Sequence, residues 1–520
     1  MAGRSVHTRL CRRLPHGREE LVRTHSLTTA TVVTLIAVCS ACSGQGSGGT
    51  AQTQTEAVDG GVTIETRIGD LSFTHDFASG YPTDATIDRL FDEIDFQRAS
   101  QAYIWSIPLI SMAQWQYAYN VTLGAENGQI TFLNGYDDIL GGLTFNATTP
   151  YALVFIDLAE EPWVVHMPEG EVRGAAHDMW QIEITTMTRP GKYLFVGPGQ
   201  QAPAGAEQAG YKVFQTPTNS IFLGIRLIPT DPDERMALLN NVEIYPFAER
   251  SNPRPRGYIT PNGRRWSAAH PRGMEYWQRL SDIINNEPVF ERDRFFMAML
   301  APLGIEKGKP FNPTEQQTRI LTEGVLVGEA MAKAIDFRKM PRLADAHYVD
   351  GSGWDIDTTS PVDQRREHYD ALDGRASWFY EAVTNNIAMH GMETGQGQVY
   401  LTAYKDDDGD WLDGAVNYTL HIPPNAPAEL FWSLTLYEVD GRDIIHNEQK
   451  VTDRSSRMDL LTHEDGSVDL YFGPDEPEGM KQNWIPTEPG CAFFAMLRFY
   501  SPGKTLLDRT WILPDIEKAQ

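Results

Sequence analysis

Three sets of residues carry types and spacings that could do chemistry. His166, His177 and Asp178 lie near Trp180 in a β-rich region, where an imidazole and a carboxylate could serve as a general base pair. Neighbours on a strand point to opposite faces, so His177 and Asp178 pair only if a loop carries them; otherwise they read as exposed polar residues. Arg498 sits inside the apolar run Ala495-Met-Leu-Arg-Phe-Tyr500, and a charge there needs a partner, for which Asp469 is a candidate. As a structural ion pair it would tie elements together; as a free planar fork it would hold a carboxylate or phosphate. His177, Asp178 and Arg498 are thus the candidate catalytic residues.

The candidate ligand-binding residues are Asn146, Thr149, Trp180 and Trp484. The run Asn146-Ala-Thr-Thr-Pro-Tyr151 feeds a polar turn into an apolar strand, and its side chains suit either backbone capping or a ligand cleft. Asn483-Trp484 lies in a Pro/Gly-rich stretch, where the indole could stack on a sugar or aromatic ligand, or plug the end of a sheet. His421 shares a strand face with Asn417 and Thr419, which a solvated face explains. Asp406-Asp-Asp-Gly-Asp410 with Asp413 has the look of a calcium loop. Trp411 and Asn417 stand where an EF-hand needs Gly and Glu, so the run reads as a hairpin turn. No metal ligand set and no cofactor is assigned. No Gly-x-Ser-x-Gly elbow lies in the region expected to fold. His-Glu-x-x-His, a Walker loop and Cys-x-x-Cys are missing from that region too, which counts against common serine hydrolases, zincins and NTPases.

These residues need elements to position them. Residues 82–118 are helical by period, with Ile87, Leu90, Phe91 and Ile94 on one face and Pro108 as a kink or break. Short β-rich runs follow, among them Tyr151–Ile156, Trp163–His166, Lys192–Val196 and Ile221–Ile225, spaced by Gly/Pro turns as in an antiparallel sandwich. Helix returns over about 270–340, with Asn312 as a cap followed by Pro and Glu, and again over Gly374–Ala388. From about 396 the chain alternates as strands. Trp432, Leu434 and Leu436 oppose Ser433, Thr435 and Tyr437, and the run Phe493–Tyr500 is bulky on both faces, as a central strand is.

With 520 residues, 41% of them hydrophobic, the chain can bury several cores and is not disordered. Four cysteines are too few for a disulfide-stapled scaffold. A net charge of −26 repels phosphate backbones, so nucleic acid is excluded as a general partner. Residues 1–41 read as a signal peptide, with six Arg, a short apolar run from Thr31 to Val38, and small residues before Cys42. Ser40-Ala-Cys42 is similar to a lipoprotein box, which makes Cys42 the expected lipidation site and a membrane lipid anchor the expected partner. Residues 42–62, rich in Gly, Ser, Thr and Gln, read as a flexible linker.

Several phrases together resemble a known pair of bacterial families. Leu90–Ala99, Tyr103-Ile-Trp-Ser-Ile-Pro108, Asn146–Tyr151, Asp157-Leu158 and Gly191–Leu194 resemble domain of unknown function 1254. Leu372-Asp-Gly-Arg-Ala-Ser-Trp-Phe-Tyr380, Phe431–Thr435, Asp465–Pro474, Asn483-Trp484 and Leu497–Pro502 resemble domain of unknown function 1214. Many relatives have Asn-Asp-Thr where this chain has Ala147-Thr148-Thr149. The resemblance implies jelly-roll-like β-sandwiches flanking a helical segment, and a tendency to oligomerise. It implies no established activity, substrate or cofactor, and fold likeness alone assigns none.

The expected fold is mainly β with helical insertions (α+β), built as two jelly-roll-like antiparallel β-sandwich domains around a helical segment. The N-terminal helix-plus-sandwich domain spans 63–250, the helical middle 251–395 and the C-terminal sandwich 396–520. The expected function is ligand binding or scaffolding at the cell envelope by a homo-oligomer, with a glycan or small apolar molecule as ligand. The alternative is a hydrolase acting on a glycan, ester or amide, with a site in the interdomain cleft drawn from Asp178, His177, Trp484 and Arg498.

Overall fold

The computed structural model describes residues 61–340, 342–391 and 393–519; the signal-peptide and Cys42 expectations lie outside them. The chain divides into two compact units, one up to Glu93 and one from Ile94 on. In the first, Val62–Thr66 and Gly69–Phe73 form an antiparallel hairpin.

The second unit is β-rich α+β. Its N-terminal part stacks a six-stranded sheet, in the order Tyr258–Ile259, Ile130–Leu133, Tyr151–Asp157, Ser220–Leu227, Val172–Asp178, Glu183–Met187, on a four-stranded one. The latter runs Glu243–Pro246, Trp163–Met167, Gly191–Val196, Tyr211–Gln215. Alternation puts Val154, Ile156, Ile221 and Leu223 of the first sheet against Trp163, Val165, Tyr193 and Phe195 of the second, giving one closed apolar core. The C-terminal part repeats the plan. A five-stranded sheet with Phe493–Pro502 at its centre packs on a four-stranded sheet through Leu401, Leu434, Leu497 and Phe499 against Leu420, Leu470 and Ile485.

A third core lies between the two sandwiches. The outer face of the six-stranded sheet supplies Leu153, Phe155 and Phe222, and that of the five-stranded sheet supplies Tyr400, Tyr437, Phe494 and Met496. The helices Met274–Asn286, Glu315–Asp336 and Leu372–Glu381, with the later turns of the long helix Asp84–Tyr117, fill the space between. Both faces of strand Phe493–Pro502 are therefore buried, as its two-sided composition requires.

Pro108 does not break the long helix, which runs from Asp84 to Tyr117. Proline frees carbonyls in the preceding turn, and side chains from elsewhere satisfy the helix around it. Arg375 donates to the Trp105 carbonyl, His270 Nε2 contacts that of Ile107, and Gln181 donates to that of Pro108. Further along, Gly324 and Gly328 let Glu315–Asp336 approach this helix closely; a Cβ on them would fall 2.5 Å from Ala99 Cβ and 2.6 Å from Tyr103 Cβ. Two boundaries differ from expectation. The helix expected to start at Asn312 is capped by Thr314, which forms a capping box with Gln317. The helix expected over Gly374–Ala388 is Leu372–Glu381. The expected apolar face at the start of the long helix is only partly covered, since Ile87 and Leu90 are half-buried while Phe91 and Ile94 are exposed.

Candidate functional site

Trp105 and Trp180 form the wall of a narrow pocket also lined by Leu109, Ile283, Ile284, Val289 and Met297, with the carboxylates Glu287 and Asp293 at its edge. The enclosed space is about 10 Å³, room for about one water molecule. The elements explain the placement. Trp105 projects from the long helix, Ile283 and Ile284 from the last turn of Met274–Asn286, and Trp180 from the turn after strand Val172–Asp178. The indole centroids are 5.2 Å apart at 54°, and Phe296 stacks on Trp105 at 4.8 Å.

The polar groups around the pocket are held in place. Trp105 Nε1 donates to Asp293 Oδ1 at 3.0 Å. Glu287 accepts from the backbone N–H groups of Asn219 (2.5 Å) and Ser220 (2.9 Å), and burial raises its carboxyl to about 7. The guanidinium groups of Arg292 and Arg375 lie 5.1 and 5.4 Å from the Trp180 ring centroid. Arg375 is 1% exposed, yet among the described residues its Nε and Nη1 have no hydrogen-bond partner. Burial and the neighbouring Arg292 lower it to about 10, against the pull of Asp293. Three non-glycine residues with left-handed backbone meet beside it. Thr384 N donates to Gln181 Oε1 at 2.6 Å, and Gln364 Nε2 donates to the Trp180 carbonyl at 2.5 Å. Such strain persists where the surroundings over-determine the backbone.

Of the residues singled out from the sequence, Trp180 lines this pocket, while His177 and Asp178 do not. Both are 2% exposed rather than solvated, and they are not bonded to each other. Asp178 Oδ1 accepts from the backbone N–H groups of Trp180 and Ile182, each at 2.9 Å, so it shapes the turn that presents Trp180. Burial raises its carboxyl to about 6. His177 faces Phe222 across the sheet, and among the described residues neither ring nitrogen has a partner in hydrogen-bonding geometry. Burial lowers its imidazole to about 4.

The remaining candidates sit elsewhere. Asn146 Oδ1 accepts from Thr148 N and Thr149 N at 3.1 Å, capping the turn, and its Nδ2 donates to the Tyr151 hydroxyl. Thr149 accepts from Arg226, whose guanidinium stacks 3.8 Å from the Tyr151 ring centroid. Arg498 donates to the Tyr437 hydroxyl and the Thr144 carbonyl, both at 2.7 Å, and not to Asp469. Asp469 instead bridges His421 (2.7 Å) and His463 (2.9 Å) on the C-terminal four-stranded sheet. Trp484 lies in that sheet too and donates to the Gly473 carbonyl. In the aspartate-rich turn, Lys518 contacts Asp406, Asp408 and Asp410 at 3.3, 3.0 and 2.7 Å.

Trp105, Glu287, Asp293 and Arg375 were not singled out as site residues. A signal was present for two of them: Trp105 and Arg375 both fall within the phrases that carry the family resemblance. A buried arginine is costly unless something engages it.

Comparison with known proteins bears on identity here. Residues 134–246 match a family model described as protein of unknown function (DUF1254), and residues 397–504 one described as protein of unknown function (DUF1214). The chain carries a DUF1254 domain followed by a DUF1214 domain. The VPA0106 protein from Vibrio parahaemolyticus is similar in fold, with a TM-score of 0.50 and 18% identity, covering 82% of this chain and 100% of that one. A putative uncharacterized protein from Burkholderia cenocepacia aligns over 83% of this chain and 96% of its own at 9% identity, with a TM-score of 0.37. No curated protein matches. The pocket lies partly outside both matched regions: Trp180 falls in the DUF1254 match, Trp105 before it, and Ile283 to Met297 between the two.

Proposed function

We propose that this DUF1254–DUF1214 protein is a binding protein of the cell envelope whose pocket takes a small apolar or sugar ring against Trp105 and Trp180. One observation carries the reading. Two tryptophans and five aliphatic side chains line a narrow apolar cleft whose carboxylates already accept hydrogen bonds from the protein. Small-molecule sites are walled in this way but usually hold about 300–1,000 Å³, so a ring enters here only as these side chains part to admit it. The hydrolase alternative draws on Glu287, since a carboxyl near 7 suits general acid–base work at neutral pH. His177, Asp178, Trp484 and Arg498 give it no shared site, because His177 and Asp178 are not bonded to each other and Asp178, Trp484 and Arg498 bond to different stretches of backbone.

Thermal shift with monosaccharides, phenols and short-chain esters tests the pocket. Stabilisation of the wild type that is lost in Trp180→Leu supports it, whereas equal stabilisation of both sinks it. Product formation that disappears in Glu287→Gln would move the reading to the hydrolase.

Export with lipidation at Cys42 is part of the same proposal. It rests on the basic stretch, short apolar run and Ser40-Ala-Cys42 of residues 1–42. Fractionation of expressing cells should find the wild type with membranes and Cys42→Ala in the soluble fraction. Self-association is proposed through apolar surface such as Phe77, Tyr81 and Phe91, which are 66%, 76% and 59% exposed. Light scattering of the purified chain reads it directly.

A further inference from the structure

Four ionisable side chains meet where the end of helix Glu315–Asp336, the turn after it, the segment following Asp355–Ile356 and helix Leu372–Glu381 converge. Asp336, Lys339 and Glu381 are 0% exposed and Asp357 is 1% exposed. Lys339 Nζ lies 3.2 Å from Asp336 Oδ1 and 3.0 Å from Asp357 Oδ1. It also donates to the Tyr404 hydroxyl at 2.7 Å, and that hydroxyl donates to Glu381 Oε2 at 2.5 Å. Oxygens of the three carboxyl groups lie within 4.8 Å of one another. The Phe337 and Phe494 rings close against Tyr404 at 5.1 and 5.5 Å.

A structural ion pair needs one carboxylate for one ammonium. Three carboxyls around one buried ammonium leave excess charge that desolvation makes costly, so the excess is carried as protons. Burial, with Asp357 and Asp336 beside it, pushes Glu381 well above the usual carboxylate range, which makes it the proton carrier. The two aspartates differ. Asp336 Oδ1 accepts from Ser377 Oγ at 2.8 Å. Among the described residues Asp357 accepts from no alcohol, amide or backbone N–H, and its neighbours are the Lys339 ammonium and the Glu381 carboxyl, which shares a hydrogen bond with it. Its Oδ1 therefore lies 3.0 Å from the Lys339 nitrogen, with an acid alongside.

We infer that Lys339 and Asp357 join through an intramolecular amide bond, with Glu381 carrying the protons. One proton passes from the Lys339 ammonium to Asp357 along the 3.0 Å contact, leaving a neutral amine and a neutral acid in a site shielded from water. Nζ attacks Cγ of Asp357 and the C–N bond forms. Glu381 protonates the departing oxygen, the Cγ–Oδ bond breaks, and Glu381 recovers a proton from Nζ. The balance is amine plus acid to amide plus one water, with no change of oxidation state and Glu381 regenerated. The product removes an ammonium and a carboxylate from the interior and ties the turn after Glu315–Asp336 to the segment after Asp355–Ile356.

Tryptic peptide mapping of the folded full chain by mass spectrometry is the test. The bonded protein yields residues 339–342 joined to residues 343–365, lighter than the sum of the two by one water, with no cleavage after Lys339. Lys339→Arg and Glu381→Gln each yield the unjoined peptides. Cleavage after Lys339 in folded wild type, with both peptides at full mass, overturns the inference whether or not the variants fold. A link mapped to Asp336 overturns the choice of Asp357.

Discussion

The guanidinium of Arg498 donates to the backbone carbonyl of Thr144 at 2.7 Å, across 354 positions of chain. The same group donates to the Tyr437 hydroxyl, which also donates to the Phe145 carbonyl at 2.9 Å. Arg498 thus fastens the five-stranded sheet to the turn that leads into strand Tyr151–Asp157, and among the described residues it forms no ion pair.

Arg498→Met should therefore cost stability rather than a specific activity. Hydrogen bonds from a buried charge contribute about 1.5–3 kcal/mol, and the Thr144 carbonyl would lose a donor. Urea denaturation should show a loss of about 2–3 kcal/mol. Unchanged stability would mean that the turn finds other donors.

His177 and Asp178 are adjacent and titrate in opposite senses. The His177 imidazole is lowered from 6.5 to about 4, so the folded state binds fewer protons than the unfolded state between those values. Its contribution is present above pH 6.5 and lost as pH falls to about 4. The Asp178 carboxyl is raised from 3.8 to about 6, so its contribution is present at low pH and lost as pH rises through that window. The two slopes oppose each other in wild type, and single variants should expose them. Relative to wild type, His177→Leu should gain stability from pH 6.5 down to 4, and Asp178→Asn should lose it, each on the order of 2–3 kcal/mol. Melting temperatures across pH 4–7 check this; parallel curves for all three proteins would contradict it.

Gly328→Ala tests which of two effects wins. Alanine improves helix propensity by about 1 kcal/mol in a helix interior. Its Cβ would meet Tyr103 Cβ at 2.6 Å and Cγ at 2.7 Å, with no flexible chain end to give way. Overpacking costs about 1–3 kcal/mol, so the variant should be less stable despite the better propensity. A higher melting temperature would show that the two helices can separate slightly.

Trp105→Leu offers a check on the pocket independent of Trp180. It removes one indole and frees Asp293 Oδ1 from its Nε1 donor. A ligand held by the ring pair should bind at least tenfold more weakly, since a stacking contact is worth about 0.5–1.5 kcal/mol beyond its buried area. Titration calorimetry with whichever compound stabilises the wild type reads this.

What was legible in the sequence follows from local rules. Alternation in Phe431–Tyr437 sorts Trp432, Leu434 and Leu436 from Tyr437, and in the fold the first three enter one core and Tyr437 another. The two-sided strand Phe493–Tyr500 is central in its sheet for the same reason. The partner of Arg498 was not legible, because it is a backbone carbonyl that no side-chain pattern marks. The burial of His177 was hidden too, since strand period gives a face but not what lies against it. Lys339, Asp336, Asp357 and Glu381 come from four segments, none unusual alone, and convergence of that kind has no local signature.

The core shared by both sandwiches sets an order of events during synthesis. Trp115 and Phe155 meet early, but the wall they form with the long helix is completed by Phe494 and Met496, almost the last strand to be made. At roughly 5–20 residues per second, the ribosome needs on the order of tens of seconds to deliver that strand. A nascent chain therefore carries a half-built apolar wall through most of its translation. Fragments cut between the two matched regions would keep it permanently open to water, and would be expected to aggregate or require a chaperone, where the whole chain closes on itself.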